Sequence, residues 1–294
     1  MQDAIQSFDI RDWKPNLTAA ETEKVALNLE QGAVIHLPTL GFSMTNDEQK
    51  FYSPSWLNGQ RKNISLEGLN VRGATGSIND LTQMASMITR YAHQATQLII
   101  TLFPNYALYL NTARTSYRPN MVGAVAARSW KKDDSRLHVD AFPSRPNHGE
   151  RILRVFTNVN PENVSRVWRV GEAFEQAAQH FLPNIKPPVP FSASLLSAIG
   201  ITKRKRSEYD HIMLHLHDHM KADLDYQKNT QQQAVNFAPG STWICFSDQV
   251  LHAAMSGQYM FEQTFHLPIA GQYHSEFSPL HVLEKLQKRQ LVKR

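Results

Sequence analysis

In the stretch RLHVDAFPSRPNHGERILRVFTNVNP, residues 136–161, a single residue separates His138 from Asp140. On an extended backbone, positions i and i+2 project to one face. A neutral imidazole and a carboxylate on one face can hold a divalent ion from a rigid edge. A second histidine from a distant strand would complete a set of two histidines and one carboxylate with open coordination positions. That set is the pattern of non-haem Fe(II) oxygenases. Residues 239–257, PGSTWICFSDQVLHAAMSG, offer the partner: a Pro-Gly turn, an apolar strand, then Ser-Asp-x-x-x-His. His252 is expected at the end of that strand, where an ion at a barrel mouth would sit. An H-x-D pair alone is common by chance; the partner segment gives this one its weight.

Oxygenases of this type usually take 2-oxoglutarate as co-substrate. Its distal carboxylate needs a cation, because an unpaired buried carboxylate is costly. Many such enzymes supply that cation on the strand after the last histidine. Here that strand, YMFEQTFHLP (259–268), has none, and no Lys or Arg occurs between Lys228 and Lys285. RILRVFTNVN (151–160) offers Arg151 and Arg154 instead. Period-two alternation puts Ile152, Arg154, Phe156 and Asn158 on one face and Arg151, Leu153, Val155 and Thr157 on the other. The second face carries the aliphatic stripe expected against helices. Arg154 is therefore the expected carboxylate clamp, through its planar fork, with Asn158 as a second donor and Arg151 as the alternative.

These residues need a rigid frame. NLTAAETEKVALNLEQG (16–32) reads as a helix with Thr18 and Glu21 at its start and Gly32 at its stop. AVIHLP (33–38) follows as a strand, 39–76 looks irregular, and 80–103 reads as a long amphipathic helix ending before Pro104. Strand-like segments cover 106–119, 124–130 and 151–160, and then 234–239, 241–246 and 259–268. Between the two groups, 163–231 reads as a helical insertion. The expected organisation is one domain over 1–294: a helical part to about 103, strands over about 106–160 and 234–270, the insertion at about 163–231, and a basic tail at 278–294. The lack of βαβ alternation disfavours a doubly wound parallel sheet, and a small β-sandwich or barrel flanked by helices fits better.

Composition bounds the function. The chain of 294 residues carries a formal charge of +5, which favours an anionic partner. Cys245 is the one cysteine, so there is no internal disulfide and a reducing, cytoplasmic setting fits. The start of the chain lacks the pattern of a signal peptide, and no apolar run is long enough to span a bilayer. Two basic clusters, KRKR (203–206) and KLQKRQLVKR (285–294), could attract phosphates; aromatics are not interleaved with them, which disfavours nucleic acid. His211, His215 and His219 recur at i, i+4 on one helix, but without the Glu of a zinc motif they read as a solvated face.

HVDAFPSRP, GAVIHLPTLGF, FYSPSWLNGQRKNIS, LRVFTNVNP and PGSTWICFSDQVLHAAMSGQ together resemble the bacterial Kdo hydroxylase family, over about residues 20–275. Kdo is the 3-deoxy-octulosonic acid that links lipid A to the rest of lipopolysaccharide. The resemblance implies an α+β protein with a double-stranded β-helix (jelly-roll, cupin-like) core. It implies Fe(II), 2-oxoglutarate and O2 as cofactor and co-substrates, with hydroxylation at C3 of a Kdo residue on a lipid A precursor. Carried over by motif, His138, Asp140 and His252 would be the iron ligands. The substrate's carboxylate and phosphates need cations; Arg145 in FPSRP is the first candidate and Arg118 in SYRPN the second. The basic tail could hold the enzyme to the anionic inner face of the bacterial inner membrane. Two other readings stay open: an oxygenase acting on protein or a free small molecule, and a non-catalytic jelly-roll that binds an anionic sugar.

Overall fold

The computed structural model describes residues 3–59, 61–124 and 129–292. Eleven strands are present among them: β1 (Ile5–Ser7), β2 (Val34–Leu37), β3 (Ile64–Glu67), β4 (Asn70–Arg72), β5 (Asn111–Arg118), β6 (Arg151–Asn158), β7 (Arg166–Gly171), β8 (Gln232–Phe237), β9 (Thr242–Phe246), β10 (His252–Ser256) and β11 (Met260–Leu267). Eight form one sheet in the order β1-β2-β9-β6-β11-β5-β3-β4, and three form a second in the order β10-β7-β8. The seven α-helices are α1 (Ala19–Glu30), α2 (Ile78–Leu102), α3 (Phe174–Phe181), α4 (Ser192–Ala198), α5 (Glu208–Ala222), α6 (Leu224–Asn229) and α7 (Pro279–Gln287). This is an α+β protein built on a jelly-roll core.

Local chemistry explains the frame. The Thr18 side chain accepts the Glu21 N–H while the Glu21 carboxylate accepts the Thr18 N–H, a capping box that starts α1. The apolar stripe of α2, including Met84, Ile88, Tyr91, Leu98 and Ile99, covers the outer face of the large sheet. There it meets Leu153 and Val155 of β6. The Tyr91 hydroxyl donates to Val155 O at 3.2 Å, anchoring β6 to the helix. The inner face of β6 looks into a second apolar cluster, where Phe156 stacks on Trp243 (5.4 Å, 19°) and meets Trp168 of the small sheet edge-on. The two faces of β6 thus divide as the period-two reading expects. A third cluster joins α3, α5, α6 and α7 to Val139 and Leu251.

Several expectations change. The insertion expected to be helical from 163 opens with β7, whose Arg-Val-Trp-Arg-Val alternation is amphipathic at period two. Within that insertion the run of helix that carries His211, His215 and His219 breaks at Asp223, whose side chain caps α6. The hairpin β3–β4 lies in the part expected to be irregular. In the strand expected at 106–119, residues before Asn111 form a 3₁₀ turn (Pro104–Leu108). The strand expected at 124–130 falls mostly on residues outside the described ones, and Trp130 itself begins a 3₁₀ turn. The C-terminal helix is docked rather than free: Leu291 is buried, Arg289 pairs with Glu208, and Lys285 lies 3.7 Å from Glu175. No helix among the described residues is long and apolar enough to cross a membrane.

Candidate metal centre and active-site cleft

The carboxylate–imidazole pair is held by backbone pairing to the start of β10. The His138 N–H donates to His252 O at 3.1 Å, and the His252 N–H donates to His138 O at 2.9 Å. Asp140 N–H donates to Ser247 O at 2.8 Å. The pair therefore sits on a bridged extended segment, not in a regular strand as expected. The alternation still holds, since Val139 points away into the helical cluster. Gln227 of α6 clamps the segment from behind, accepting the Leu137 N–H at 2.7 Å and donating to Leu137 O at 2.9 Å. His217 of α5 donates to Val139 O at 2.8 Å. His252 opens β10 rather than ending β9, because a turn follows Phe246.

Both imidazoles are set in one tautomer. His138 Nδ1–H donates to Arg136 O (2.7 Å) and His252 Nδ1–H to Val250 O (2.8 Å), so each Nε2 is left with its lone pair. One ligand atom from each of His138, Asp140 and His252 lies within 4.8 Å of the others, and among the described residues no other His/Cys/Asp/Glu group is so arranged. His138 Nε2 stands 3.8 Å from Asp140 Oδ1. Burial pushes both imidazoles toward the neutral form that ligates metal. Trp168 stacks on the His252 ring at 5.1 Å and fixes its plane.

Around these groups lies a cleft of about 150 Å³, lined among others by Arg118, Asp134, Arg154, Arg166 and Trp168. It adjoins a larger groove of about 500 Å³, which shares Arg118, Asp134 and Arg166 and adds Lys62. Arg154 lies 3.1 Å from Asp140 Oδ2 and 3.1 Å from Glu262 Oε1, and Arg118 lies 2.6 Å from Glu262 Oε2. Burial opposes ionisation of Asp140, but the Arg154 guanidinium outweighs it and holds the carboxyl well below the usual range. Burial likewise opposes ionisation of Glu262, and Arg118 and Arg154 overcome it. Burial together with Arg118 pushes the Arg166 guanidinium down to about 9, still cationic at neutral pH. Its seat requires glycine at 257: an added Cβ there would come within 2.8 Å of Arg166 Cα, and Gly257 O accepts from Arg166 at 3.1 Å.

The cleft fits a metal and an anionic ligand. Asp140 Oδ2 and the Nε of Arg118, Arg154 and Arg166 are buried without hydrogen-bond partners, as is Trp168 Nε1. Native interiors rarely leave such atoms unbonded. The cleft's charges are three guanidiniums against Asp134, Asp140 and Glu262. A divalent cation with a dicarboxylate adds equal and opposite charge, so the balance survives loading.

Of the anticipated residues, Arg154 and Arg118 line this cleft. Arg151 faces away from it, fully buried, donating to Asp248 at 2.8 Å and stacked on Phe246. Asn158 is not brought to the cleft, and this corrects the expectation for it. Its amide donates to Val164 O and Phe237 O at 3.0 Å, and its oxygen accepts the Asn160 N–H, so its polar atoms are spent on the turn after β6. Arg145 is exposed on the loop leaving Asp140, beside a small recess it shares with Asp140 and Arg206. Glu262, Arg166 and Trp168 were not anticipated. Glu262 stands in a strand without Lys or Arg, and Arg166 and Trp168 lie in a segment expected to be helical. The His211/His215/His219 face makes ring contacts, with His211 bonded to Lys186 O at 2.8 Å.

A jelly-roll with this cleft at the mouth between its sheets defines a class: the non-haem Fe(II), 2-oxoglutarate-dependent dioxygenases. The family model described as 3-deoxy-D-manno-oct-2-ulosonic acid (Kdo) hydroxylase matches residues 12–290. No curated protein sequence matches the chain. Three solved structures of the Kdo hydroxylase KdoO, described as a non-haem Fe(II) α-ketoglutarate-dependent dioxygenase, are similar throughout. The complex with α-ketoglutarate and Fe(III) is 46% identical with a TM-score of 0.93, covering 98% of this chain and 97% of that one. The cobalt(II) complex is 46% identical with a TM-score of 0.95, covering 99% and 98%. The complex with succinate and Fe(III) is 45% identical with a TM-score of 0.94, covering 99% and 98%. The chain belongs to the Kdo hydroxylase family.

Proposed function

We propose that this enzyme replaces a hydrogen at C3 of a Kdo residue on a lipid A precursor by hydroxyl, consuming 2-oxoglutarate and O2 and releasing succinate and CO2. The observation that carries the assignment of residues is the convergence of two Nε2 lone pairs and a low-pKa carboxylate beside buried, incompletely bonded arginines. His138, Asp140 and His252 hold Fe(II) through His138 Nε2, an Asp140 oxygen and His252 Nε2. The iron, with 2-oxoglutarate and dioxygen, supplies the oxidising power for a C–H to C–OH conversion. The protein's own residues bind, orient and exclude water.

Arg154 takes the distal carboxylate of 2-oxoglutarate through its unbonded Nε edge, while its two ion pairs hold it in place. One observation favours a second reading. Arg154 already neutralises Asp140 and Glu262, whereas Arg166 has a carbonyl as its hydrogen-bond partner and sits in the same cleft. In that reading Arg166 grips 2-oxoglutarate and Arg154 only orients the metal carboxylate. Arg118, at the junction of cleft and groove, and Arg145, on the Asp140 loop, serve the anionic groups of the substrate. The lipid portion places the enzyme at the anionic inner face of the bacterial inner membrane.

The test is succinate release with Fe(II), 2-oxoglutarate and a detergent-dispersed Kdo-lipid A precursor. Turnover that depends on the Kdo lipid is expected; turnover with a peptide but with no Kdo-containing lipid would overturn the substrate assignment.

A further inference from the structure

The insertion carries a feature that neither the metal centre nor the substrate groove uses. Val189, Phe191, Leu195, Ile199 and Ile201 are 53–86% exposed within 13 residues. Phe191, Leu195 and Ile199 stand at i, i+4 and i+8 along α4 and the residues flanking it, so they form one stripe. Soluble proteins seldom show apolar side chains so closely grouped without an occupant. Phe191 is the most exposed of them and adopts a left-handed backbone (φ 63°), which a bulky residue rarely does.

Charge identifies the occupant. From 176 to 207 there is no Asp or Glu, while Lys186, Lys203, Arg204, Lys205 and Arg206 supply five positive charges, as many as the whole chain's formal excess. Lys203, Arg204 and Lys205 are exposed. An apolar ridge rimmed by bases matches an anionic lipid surface, where the apolar side chains enter the acyl boundary and the bases meet phosphates. The C-terminal tail is a poorer candidate, since Arg289 is paired and Leu291 is buried.

The ridge is also tied to the metal centre. Lys203 N–H donates to Ser144 O (2.9 Å), Arg206 to Pro143 O (2.5 Å) and His148 to Lys205 O (2.7 Å). These bonds staple 203–206 to the loop that leaves Asp140 and carries Arg145. We infer that the 189–201 ridge with the 203–206 bases is the surface by which the enzyme docks on an anionic bilayer, bringing the Asp140–Arg145 loop that it is bonded to against a lipid-borne substrate. This deepens the proposed function and rests on its lipid substrate.

The test is co-sedimentation of the full chain with vesicles of phosphatidylethanolamine and phosphatidylglycerol, against phosphatidylcholine alone. Two variants are compared with wild type: Phe191→Ser/Leu195→Ser/Ile199→Ser and Lys203→Gln/Arg204→Gln/Lys205→Gln. Their altered side chains are exposed, so circular dichroism should match wild type. Wild type should prefer the anionic vesicles by on the order of tenfold, and each variant should lose about tenfold or more of that binding. Succinate release on detergent-dispersed Kdo lipid should stay at the wild-type rate in both variants while turnover on vesicle-borne lipid falls. Equal vesicle binding by wild type and the serine variant would overturn the docking surface. So would a serine variant that instead dissolves a dimer of the wild-type chain. If wild type turns over no Kdo lipid in any form, the substrate reading fails, and vesicle binding still decides the docking surface separately.

Discussion

Replacing Arg154 by lysine keeps the charge and removes the fork. In the protein the guanidinium spans two carboxylates, 3.1 Å from each of Asp140 and Glu262, with a side chain only 13% exposed. Solvent screening is therefore slight. A lysine ammonium cannot span both carboxylates and also meet a bidentate ligand. Losing one partner of a buried charge pair costs about 2–5 kcal/mol, and retaining the charge should leave a loss near the lower end, about 2 kcal/mol. That corresponds to roughly a thirtyfold rise in the apparent KM for 2-oxoglutarate. Arg154→Met removes the charge as well and leaves Asp140 short of its main counter-ion. About 3–5 kcal/mol of stability should go with it, a fall of about 5–8 °C in Tm. The assay is initial succinate release against 2-oxoglutarate concentration at saturating Fe(II), with Tm recorded for each variant. If Arg154→Lys leaves the KM within twofold of wild type, Arg154 is not the clamp. A rise in KM on Arg166→Lys in that case assigns the role to Arg166.

Adding Co(II) at about 100 times its dissociation constant should stabilise the chain by about 2.7 kcal/mol, seen as a rise in Tm that a chelator reverses and that His252→Ala lacks. Gln227→Leu leaves the buried N–H and C=O of Leu137 without their partner and should cost about 2–4 kcal/mol in denaturant unfolding. Its metal affinity should fall less than that of His138→Ala, whose loss of metal should be complete in a Co(II) absorption titration. Gly257→Ala should displace Arg166 and lower turnover, with the Arg154 pairs intact. A Gly257→Ala enzyme of wild-type rate would remove Arg166 from the active cleft.

The meeting of His138, Asp140 and His252 was legible because its cues are local: the i, i+2 spacing at His138 and Asp140, and a strand-turn-His segment ending at His252. The two-faced reading of β6 was legible for the same reason, since alternation alone separates Arg154 from Arg151. What the sequence hid was long-range. Glu262 and Arg118 meet because β11 pairs with β5, and nothing in either strand announces the other. Arg166 was hidden behind a misread strand: β7 is short, and the helices around it dominated the pattern. Asn158 shows the converse error. Its face was read correctly, but the turn after β6 takes its amide first. Nothing in the composition of the basic tail announces the buried contact of Leu291, which is tertiary.

If these residues hydroxylate a Kdo sugar with iron, 2-oxoglutarate and dioxygen, one oxygen atom of O2 must end on the sugar. Mass spectrometry of a Kdo-lipid A precursor after incubation with Fe(II), 2-oxoglutarate and isotopically heavy dioxygen tests it most directly. The expected product is one heavy oxygen atom larger, with that atom on the Kdo at C3, one succinate formed per product and no product from Asp140→Ala. An unmodified lipid with wild-type enzyme, or the same product from Asp140→Ala, would contradict it.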